Sequence, residues 1–318
     1  MSKRTFAIFV MVCLSLIVLA GTNALILKAG CQKYDSNYWI SDFQKYFKEN
    51  NIKEKADNLK AGMDDISVRY IDKYIENSKY WNKCINYCIG YSKANLWTDY
   101  DKELFLKFEN MKVSDIYSKF NFNPYIHKSM YGMLDLPKEV LENINGKDIL
   151  DIGAWPGDTL ITFHENFPKS NIYSYEPVKE LAKKVTEVKK ELYLKEGDDS
   201  LFHIIEKGVG DREYKTKISF RNQENLAQIV KLDDEYLSFN NNLGLIKMDI
   251  EGFETPAIEG SKTIIKKYKP VLIIAIYHTP QDFFELKDKI KALNPEYRFM
   301  IRRSEDIIAD GDLVLIAY

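Results

Sequence analysis

The chain has 318 residues, of which 45% are hydrophobic and 29% are charged, with 45 basic residues against 47 acidic ones. This composition is typical of a globular protein that can bury a sizeable core, and the length suits one larger domain with an appendage. The formal net charge of −2 lacks the basic excess of nucleic-acid-binding proteins, so we expect no nucleic-acid partner.

Residues 6–27 form an apolar run without a charged side chain, and Lys3 and Arg4 precede it. About 20 apolar residues are enough to cross a lipid bilayer as a helix. A mediocre cleavage site at residues 22–24 lies inside the run, so we favour an uncleaved anchor over a signal peptide. The sequence therefore predicts a hydrophobic, single-pass transmembrane helix within residues 1–30, with a buried N-terminal extension as the alternative.

Residues 31–145 are rich in Tyr, Asn, Lys and Asp, with apolar and aromatic residues at helical spacing, as in residues 67–75. This pattern predicts a mostly helical appendage to the second half of the chain. Cys84 and Cys88 are four residues apart and would share one helix face. Because no second pair completes a metal site, we interpret them as a buried helical pair.

Residues 146–318 show short apolar runs that alternate with helical patterns, which predicts an α/β fold with helices on both faces of a mostly parallel sheet. A turn at Asp310-Gly311 joins the last two strands as a hairpin, so the final strand should run antiparallel. The predicted strands are 148–152, 171–176, 201–209, 243–249, 271–277, 296–303 and 311–318, with strand-like insertions at 215–221 and 228–232. The predicted helices are 157–166, 178–192, 255–268 and 280–293.

A glycine-punctuated turn follows the first of these strands, with Asp151, Gly153 and Gly157 at the spacing of a nucleotide-binding loop. Glu176 follows at the end of the second strand. Rossmann-like folds hold an adenosine in this way, with the acid accepting the ribose hydroxyls. The carboxylate of Asp151 would repel a pyrophosphate but suits the positive charges of S-adenosylmethionine. The turn therefore favours a methyltransferase over a nicotinamide-dependent oxidoreductase, whose Gly-x-Gly-x-x-Gly pattern is lacking.

Five motifs in this half of the chain, in this order and spacing, together resemble the FkbM-type methyltransferases. They are Asp-Ile-Gly-Ala-x-x-Gly-Asp-Thr at 151–159, Tyr-Glu-Pro at 175–177, Lys-Leu-Asp-Asp at 231–234, Ile-Lys-Met-Asp-Ile-Glu-Gly-Phe-Glu at 246–254 and Lys-Pro-x-Leu-x-Ile-x-Ile-Tyr-His at 269–278. The resemblance covers roughly residues 130–318. It implies a class I methyltransferase fold, which is a Rossmann-like seven-stranded sheet with the last strand antiparallel.

The resemblance also implies S-adenosylmethionine as the methyl donor and O-methylation, frequently of sugar or polyketide hydroxyls. Trp155-Pro156 departs from the small or polar residues usual in the family's loop, which puts the pocket shape at the methionine end in doubt. The residues that the resemblance implies for donor binding are Asp151, Gly153, Ala154, Gly157, Asp158, Thr159, Glu176, Pro177 and Asp249.

Asp249 and His278 end two further predicted strands, and ligands of open α/β sheets bind outside the carboxyl ends of strands. A hydroxyl acceptor profits from a general base, for which we predict His278, since imidazole titrates near neutrality. Asp249 is the second catalytic candidate, in the same pocket. Glu251 and Glu254 would complete a carboxylate set for Mg²⁺ or Ca²⁺ with Asp249, but on a strand-to-helix turn these side chains need not converge. We therefore predict no metal ligand.

The sequence thus predicts a membrane-tethered S-adenosylmethionine-dependent O-methyltransferase that acts on a hydroxyl of a glycan, glycolipid or related small molecule. A nicotinamide-dependent oxidoreductase and a non-catalytic, membrane-anchored binding protein are the alternatives. The positive-inside rule weakly favours an external catalytic domain. Because the donor is made in the cytosol, we expect the catalytic domain to face the cytosol instead. The oligomeric state is not indicated.

Overall fold

The computed structural model describes residues 38–78, 98–221, 223–237, 242–304 and 312–318. The predicted anchor at residues 6–27 lies outside these ranges and stays a prediction, as does the predicted pairing of Cys84 and Cys88. None of the helices within the described ranges combines the length and the apolar character that a membrane-spanning helix requires.

A seven-stranded sheet forms the centre of the molecule, and its strands lie in the order Phe202–Ile205 (β3), Ile172–Tyr175 (β2), Asp148–Ile152 (β1), Leu243–Met248 (β7), Val271–Ala275 (β8), Leu313–Ala317 (β10) and Phe299–Arg303 (β9). The first five strands in this order run parallel, whereas β10 pairs antiparallel with both β8 and β9. This arrangement confirms the predicted α/β sheet with an antiparallel last strand.

Helices cover both faces of this sheet, and each face has its own cluster of buried apolar side chains. Every residue of β1, β7 and β8 is buried, because a strand with helices on both sides has no solvent-facing positions. The helices of this half are Asp158–Asn166 (α8), Lys179–Glu196 (α9), Leu232–Leu237 (α10), Glu254–Glu259 (α11), Lys262–Tyr268 (α12) and Pro280–Leu293 (α13).

Three predicted elements differ from the observed ones. The segment 201–209 contributes to two sheets, since β3 ends at Ile205 and β4 (Gly208–Val209) joins a separate three-stranded sheet. That sheet also contains β5 (Tyr214–Phe220) and β6 (Gln223–Val230), so the second insertion strand begins before residue 228. The predicted helix 255–268 is interrupted at Gly260, where the backbone packs so closely that a Cβ atom would lie 2.0 Å from the Gly210 carbonyl oxygen.

The described residues before β1 are mostly helical, as predicted. The helices are Tyr38–Glu49 (α1), Ile52–Lys60 (α2), Asp65–Ser78 (α3), Asp99–Glu109 (α4), Asp115–Lys119 (α5), Pro124–Lys128 (α6) and Lys138–Ile144 (α7), with a 3₁₀ turn at Met133–Asp135.

Buried polar contacts join these helices to the sheet half. The Arg302 guanidinium on β9 pairs with Asp64, before α3, and with Asp135 in the 3₁₀ turn. Lys287 on α13 donates to three carbonyls at the end of α2, at 2.6–3.0 Å, where a cation also complements the helix dipole. The N-terminal helices and the sheet therefore share one packed interior.

The loop after β1 passes close to the loop after β7, and a Gly153→Ala substitution, which adds one methyl group, tests this contact. Gly153 and Gly146 both have left-handed φ angles, +82° and +89°, but an added Cβ would meet Asp249 O at 1.9 Å at Gly153 and open space at Gly146. Gly146→Ala should lower the free energy of unfolding by about 1–2 kcal/mol, the cost of the left-handed conformation. Gly153→Ala should cost about 1–3 kcal/mol more, because the backbone must move.

Urea denaturation of both variants measures the difference directly. Equal losses for the two substitutions would show that the loops after β1 and β7 are not in the close contact described.

Candidate active site

Four strand ends meet at one edge of the sheet, because β2, β1, β7 and β8 are neighbours and run parallel. Gly153 N and Ala154 N both donate to Tyr175 O, at 2.9 and 3.1 Å, which ties the loop after β1 to the end of β2. Asp249 N donates to Ile152 O at 3.0 Å, which ties the end of β7 to β1. The residues that follow these strands therefore converge at the edge where open α/β sheets bind ligands.

The buried side chain of Asp151 stabilises the loop after β1. This side chain is fully buried; Oδ2 accepts a hydrogen bond from the Thr159 hydroxyl at 2.7 Å, and Oδ1 lies 3.3 Å from Lys247 Nζ. Lys247 Nζ also donates to Gly153 O. Although burial favours neutral lysine, the carboxylates led by Asp151 raise the pKa of Lys247, so the ammonium group stays charged. The negative charge of Asp151 is therefore neutralised by Lys247 inside the protein, and the carboxylate is not exposed to solvent.

Glu176 lies at the end of β2 with 5% of its surface exposed. Its Oε1 accepts from Val178 N at 2.8 Å and its Oε2 accepts from Trp155 N at 3.2 Å. Burial raises the pKa of Glu176 to about 7. A carboxylate in this place, beside a glycine turn, has the chemistry that ribose hydroxyls require.

The Trp155 side chain, which departs from the family's pattern, lies at the rim of this loop. It is 50% exposed, and its ring meets the Phe220 ring edge-on at a centroid distance of 5.7 Å. Trp155 therefore joins the loop after β1 to the tip of the β5–β6 hairpin.

Asp249 follows β7 at this edge of the sheet, and its carboxylate is partly exposed, with 21% of the side chain accessible to solvent. Its Oδ2 accepts a hydrogen bond from the Tyr131 hydroxyl at 2.6 Å, and the Tyr277 hydroxyl lies 3.4 Å from both carboxylate oxygens. Burial, together with Asp249, raises the pKa of Tyr131 and of Tyr277 well above the usual value. Both tyrosines therefore remain neutral hydrogen-bond donors.

His278 is buried beside Asp249 and is surrounded by carboxylates. Its Nδ1 lies 2.9 Å from Glu254 Oε1, and its Nε2 lies 3.6 Å from Asp249 Oδ1 and 3.7 Å from Glu251 Oε2. Although burial favours the neutral ring, the three carboxylates raise the pKa of His278 to about 10. A ring with this pKa is protonated near neutrality, so His278 does not fit the predicted role of general base; the sequence prediction took no account of Glu254 and Glu251 at the ring.

Two strained turns supply side chains to this edge. Met130, Tyr131 and Gly132 have consecutive φ angles of 53°, 55° and 87°, and Glu251 and Gly252 have φ angles of 57° and 95°. Each left-handed residue other than glycine costs about 1–2 kcal/mol. Such strain often occurs at functional sites, and here it places Tyr131 against Asp249 and Glu251 against His278.

The other predicted donor-binding residues lie in or next to the same loops. Gly157 has a φ of +101° and is the N-cap residue of α8, where an added Cβ would meet Val188 at 3.1 Å. The remaining residues are Ala154, Asp158, Thr159 and Pro177, of which the first three are buried. The structure thus brings the whole predicted set together, and the contact of each residue with a donor stays a prediction.

The sequence prediction missed Lys247, Tyr131 and Tyr277. Lys247 carried a signal, since a charged residue interrupts the apolar run of β7. Tyr131 carried none, because it is 118 positions from Asp249 and reaches it only through the tertiary fold.

Residues 151–303 match the sequence model of the family described as methyltransferase FkbM domain. Among solved structures, a methyltransferase FkbM from Methylobacillus flagellatus superposes with a TM-score of 0.59 and 19% identity, over 84% of this chain and 58% of that chain. An S-adenosylhomocysteine-bound methyltransferase of Podospora anserina gives a TM-score of 0.41 and 12% identity, over 69% of this chain and 95% of that chain. No curated protein sequence matches the chain significantly.

The chain thus spans less than two thirds of the length of the Methylobacillus protein, and at 19% identity the likeness between the two shows the fold. The family match covers the loops after β1, β2, β7 and β8 that form the edge described above. Residues 151–303 therefore form a methyltransferase FkbM domain.

Proposed function

We propose that the protein transfers a methyl group from S-adenosylmethionine to a hydroxyl of a small-molecule acceptor, with glycans and glycolipids as the favoured class. The observation that carries this proposal is the partly exposed carboxylate of Asp249, which lies beyond β7, next to the glycine turn after β1. S-adenosylmethionine, when bound, supplies an activated methyl group, so the protein must chiefly position the acceptor and deal with its proton.

The donor end of the site consists of the glycine turn and Glu176. The buried carboxylate of Glu176 lies beside the turn and accepts N–H groups from two loops, which fixes its orientation. In the proposed complex it also accepts the ribose hydroxyls, since each oxygen has more than one lone pair. Three further carboxylates at the edge, led by Asp249, favour a ligand that carries positive charge.

The acceptor end consists of Asp249 and its neighbours. Tyr131 holds one oxygen of Asp249 at 2.6 Å, so the carboxylate has a fixed orientation and can orient an acceptor hydroxyl. His278 lies beside it at 3.6 Å. The hydroxyl loses its proton during transfer, and the carboxylates of Asp249 and Glu251 are the groups at this edge that can accept it. Positioning can contribute up to about 7–11 kcal/mol to such a reaction.

An oxidoreductase on the same fold is the second candidate function, and the family match does not favour it.

Incubation of the full chain with S-adenosylmethionine and a panel of sugar, phenol and amine acceptors decides between the two functions. Formation of S-adenosylhomocysteine with hydroxyl acceptors supports the proposal. Transfer confined to amines, or hydride transfer with a nicotinamide, would overturn it.

Asp249→Asn should lower methyl-transfer turnover by about 10²–10⁴-fold, the usual contribution of a group that acts on the acceptor's proton. The dissociation constant for S-adenosylhomocysteine should change far less than turnover, because this ligand lacks the sulfonium charge that Asp249 favours, and Glu176 and the glycine turn are intact. Asp288→Asn, the same change at an exposed position of α13, is the matched control and should leave turnover unchanged. Retention of more than about a third of wild-type turnover by Asp249→Asn would remove Asp249 from the acceptor chemistry.

Donor affinity should depend on pH through Glu176, whose pKa is raised to about 7. Above this value the carboxyl is ionised and accepts the ribose hydroxyls well; below it the neutral acid accepts them poorly. Calorimetric titration should therefore show that S-adenosylhomocysteine binds about tenfold more weakly at pH 6 than at pH 8.

Glu176→Ala should weaken binding at pH 8 by about tenfold or more and should remove the pH dependence. The same dissociation constant at both pH values in the wild type, or the same pH dependence in the variant, would contradict the ribose assignment.

A further inference from the structure

His278 and its three carboxylate neighbours form a compact group of metal-ligating side chains, here named the His278 cluster: Asp249, Glu251, Glu254 and His278. Ligand atoms from Asp249, Glu254 and His278 all lie within 4.8 Å of one another. The cluster extends from the buried end of α11 to the exposed loop after β7, since Glu254 is fully buried whereas 66% of the Glu251 side chain is exposed.

Glu254 lies at the buried end of the cluster and orients the imidazole. Its Oε1 accepts a hydrogen bond from Ile250 N at 2.9 Å and lies 2.9 Å from His278 Nδ1. Its Oε2 is buried and has no hydrogen-bond partner among the described residues. Buried carboxylate oxygens are normally satisfied, so this second oxygen leaves acceptor capacity in the cluster that the described residues do not meet.

A carboxylate on one ring nitrogen is also the usual companion of a metal-ligating histidine, because it fixes the tautomer and turns the other nitrogen toward the ion. Here Glu254 takes Nδ1, and Nε2 faces the other two carboxylates. The cluster therefore has the arrangement of a histidine ligand with its orienting acid.

The separations on the Nε2 side suit an ion. Nε2 lies 3.6 Å from Asp249 Oδ1 and 3.7 Å from Glu251 Oε2. Two ligand atoms that each lie about 2.1 Å from one cation are roughly 3–3.6 Å apart, by the metal–ligand distances typical of nitrogen and oxygen ligands. The left-handed turn at Glu251, φ 57°, holds the second carboxylate in this position.

We propose that the His278 cluster binds one divalent cation through His278 Nε2, Asp249 and Glu251, with Glu254 as the positioning residue of His278. One imidazole and two carboxylates suit Mn²⁺ or a similar first-row ion better than Ca²⁺, which prefers all-oxygen sites. The exposed side of Glu251 gives the ion an entry route. The inference rests on the proposed function in one respect: next to the acceptor, the cation would lower the pKa of the acceptor hydroxyl.

The test is a Mn²⁺ titration of the full chain after removal of metals with a chelator, in the absence of donor and acceptor. Electron paramagnetic resonance of free Mn²⁺ gives the stoichiometry and the affinity. We expect one Mn²⁺ per chain, and Glu251→Gln should weaken binding by at least about tenfold, since it removes a charged ligand. Glu259→Gln, the same change at an exposed position at the end of α11, is the matched control and should bind as the wild type does.

Glu251 is the main test position because its exposed side chain can change without disturbing the core. His278→Gln is the second variant and should abolish the high-affinity site, with circular dichroism to verify its fold. Binding of less than about 0.2 Mn²⁺ per chain at millimolar Mn²⁺ would overturn the proposal. Equal affinity in Glu251→Gln and Glu259→Gln would also overturn it.

The outcome separates this inference from the proposed function. If Mn²⁺ does not bind while Asp249→Asn still lowers methyl transfer, the cation site is wrong and the proposed function stands. If Mn²⁺ binds as expected while no hydroxyl acceptor is methylated, the proposed function is wrong and the cation site stands.

Discussion

The site depends on one buried ion pair, which the ammonium group of Lys247 forms with the carboxylate of Asp151. Lys247 lies in the middle of the sheet, 2% exposed, and joins β7 to β1 through Asp151 and the Gly153 carbonyl. Loss of one partner of a buried ion pair leaves an uncompensated charge, which typically costs 3–5 kcal/mol. The pair therefore fixes the relative positions of the two strands. With this register, Gly153 packs against the carbonyl of Asp249, so that the donor loop and the acceptor carboxylate are neighbours.

Much of the sheet half could be predicted because its signals are local. The apolar runs of β1 and β8, the glycine turn at Gly153 and the acid at Glu176 are all visible within short windows of sequence. The helix 280–293 was predicted with its observed bounds, since Pro280 follows the N-cap residue Thr279, whose hydroxyl accepts from the Asp282 N–H. The edge at which the site lies then follows from strand direction alone.

The details of the site could not be predicted, because they depend on contacts between distant segments. Tyr131 reaches Asp249 from the N-terminal helices through a strained turn, and no short sequence pattern encodes such a contact. The pKa of His278 depends on Glu254, Asp249 and Glu251, which reach the ring from the loop after β7 and from the start of α11. The division of segment 201–209 between two sheets is likewise a tertiary effect, since both pieces have strand-like sequence.

The central claim is that the four strand ends form one site, with the donor between the glycine turn and Glu176 and the acceptor beside Asp249. A crystal structure of the full chain with S-adenosylhomocysteine tests it most directly. The account predicts that both ribose hydroxyls bind the Glu176 carboxylate and that the ligand's sulfur lies on the side of Asp249 and His278. A ligand bound at another edge of the sheet, or without contact to Glu176, would contradict it.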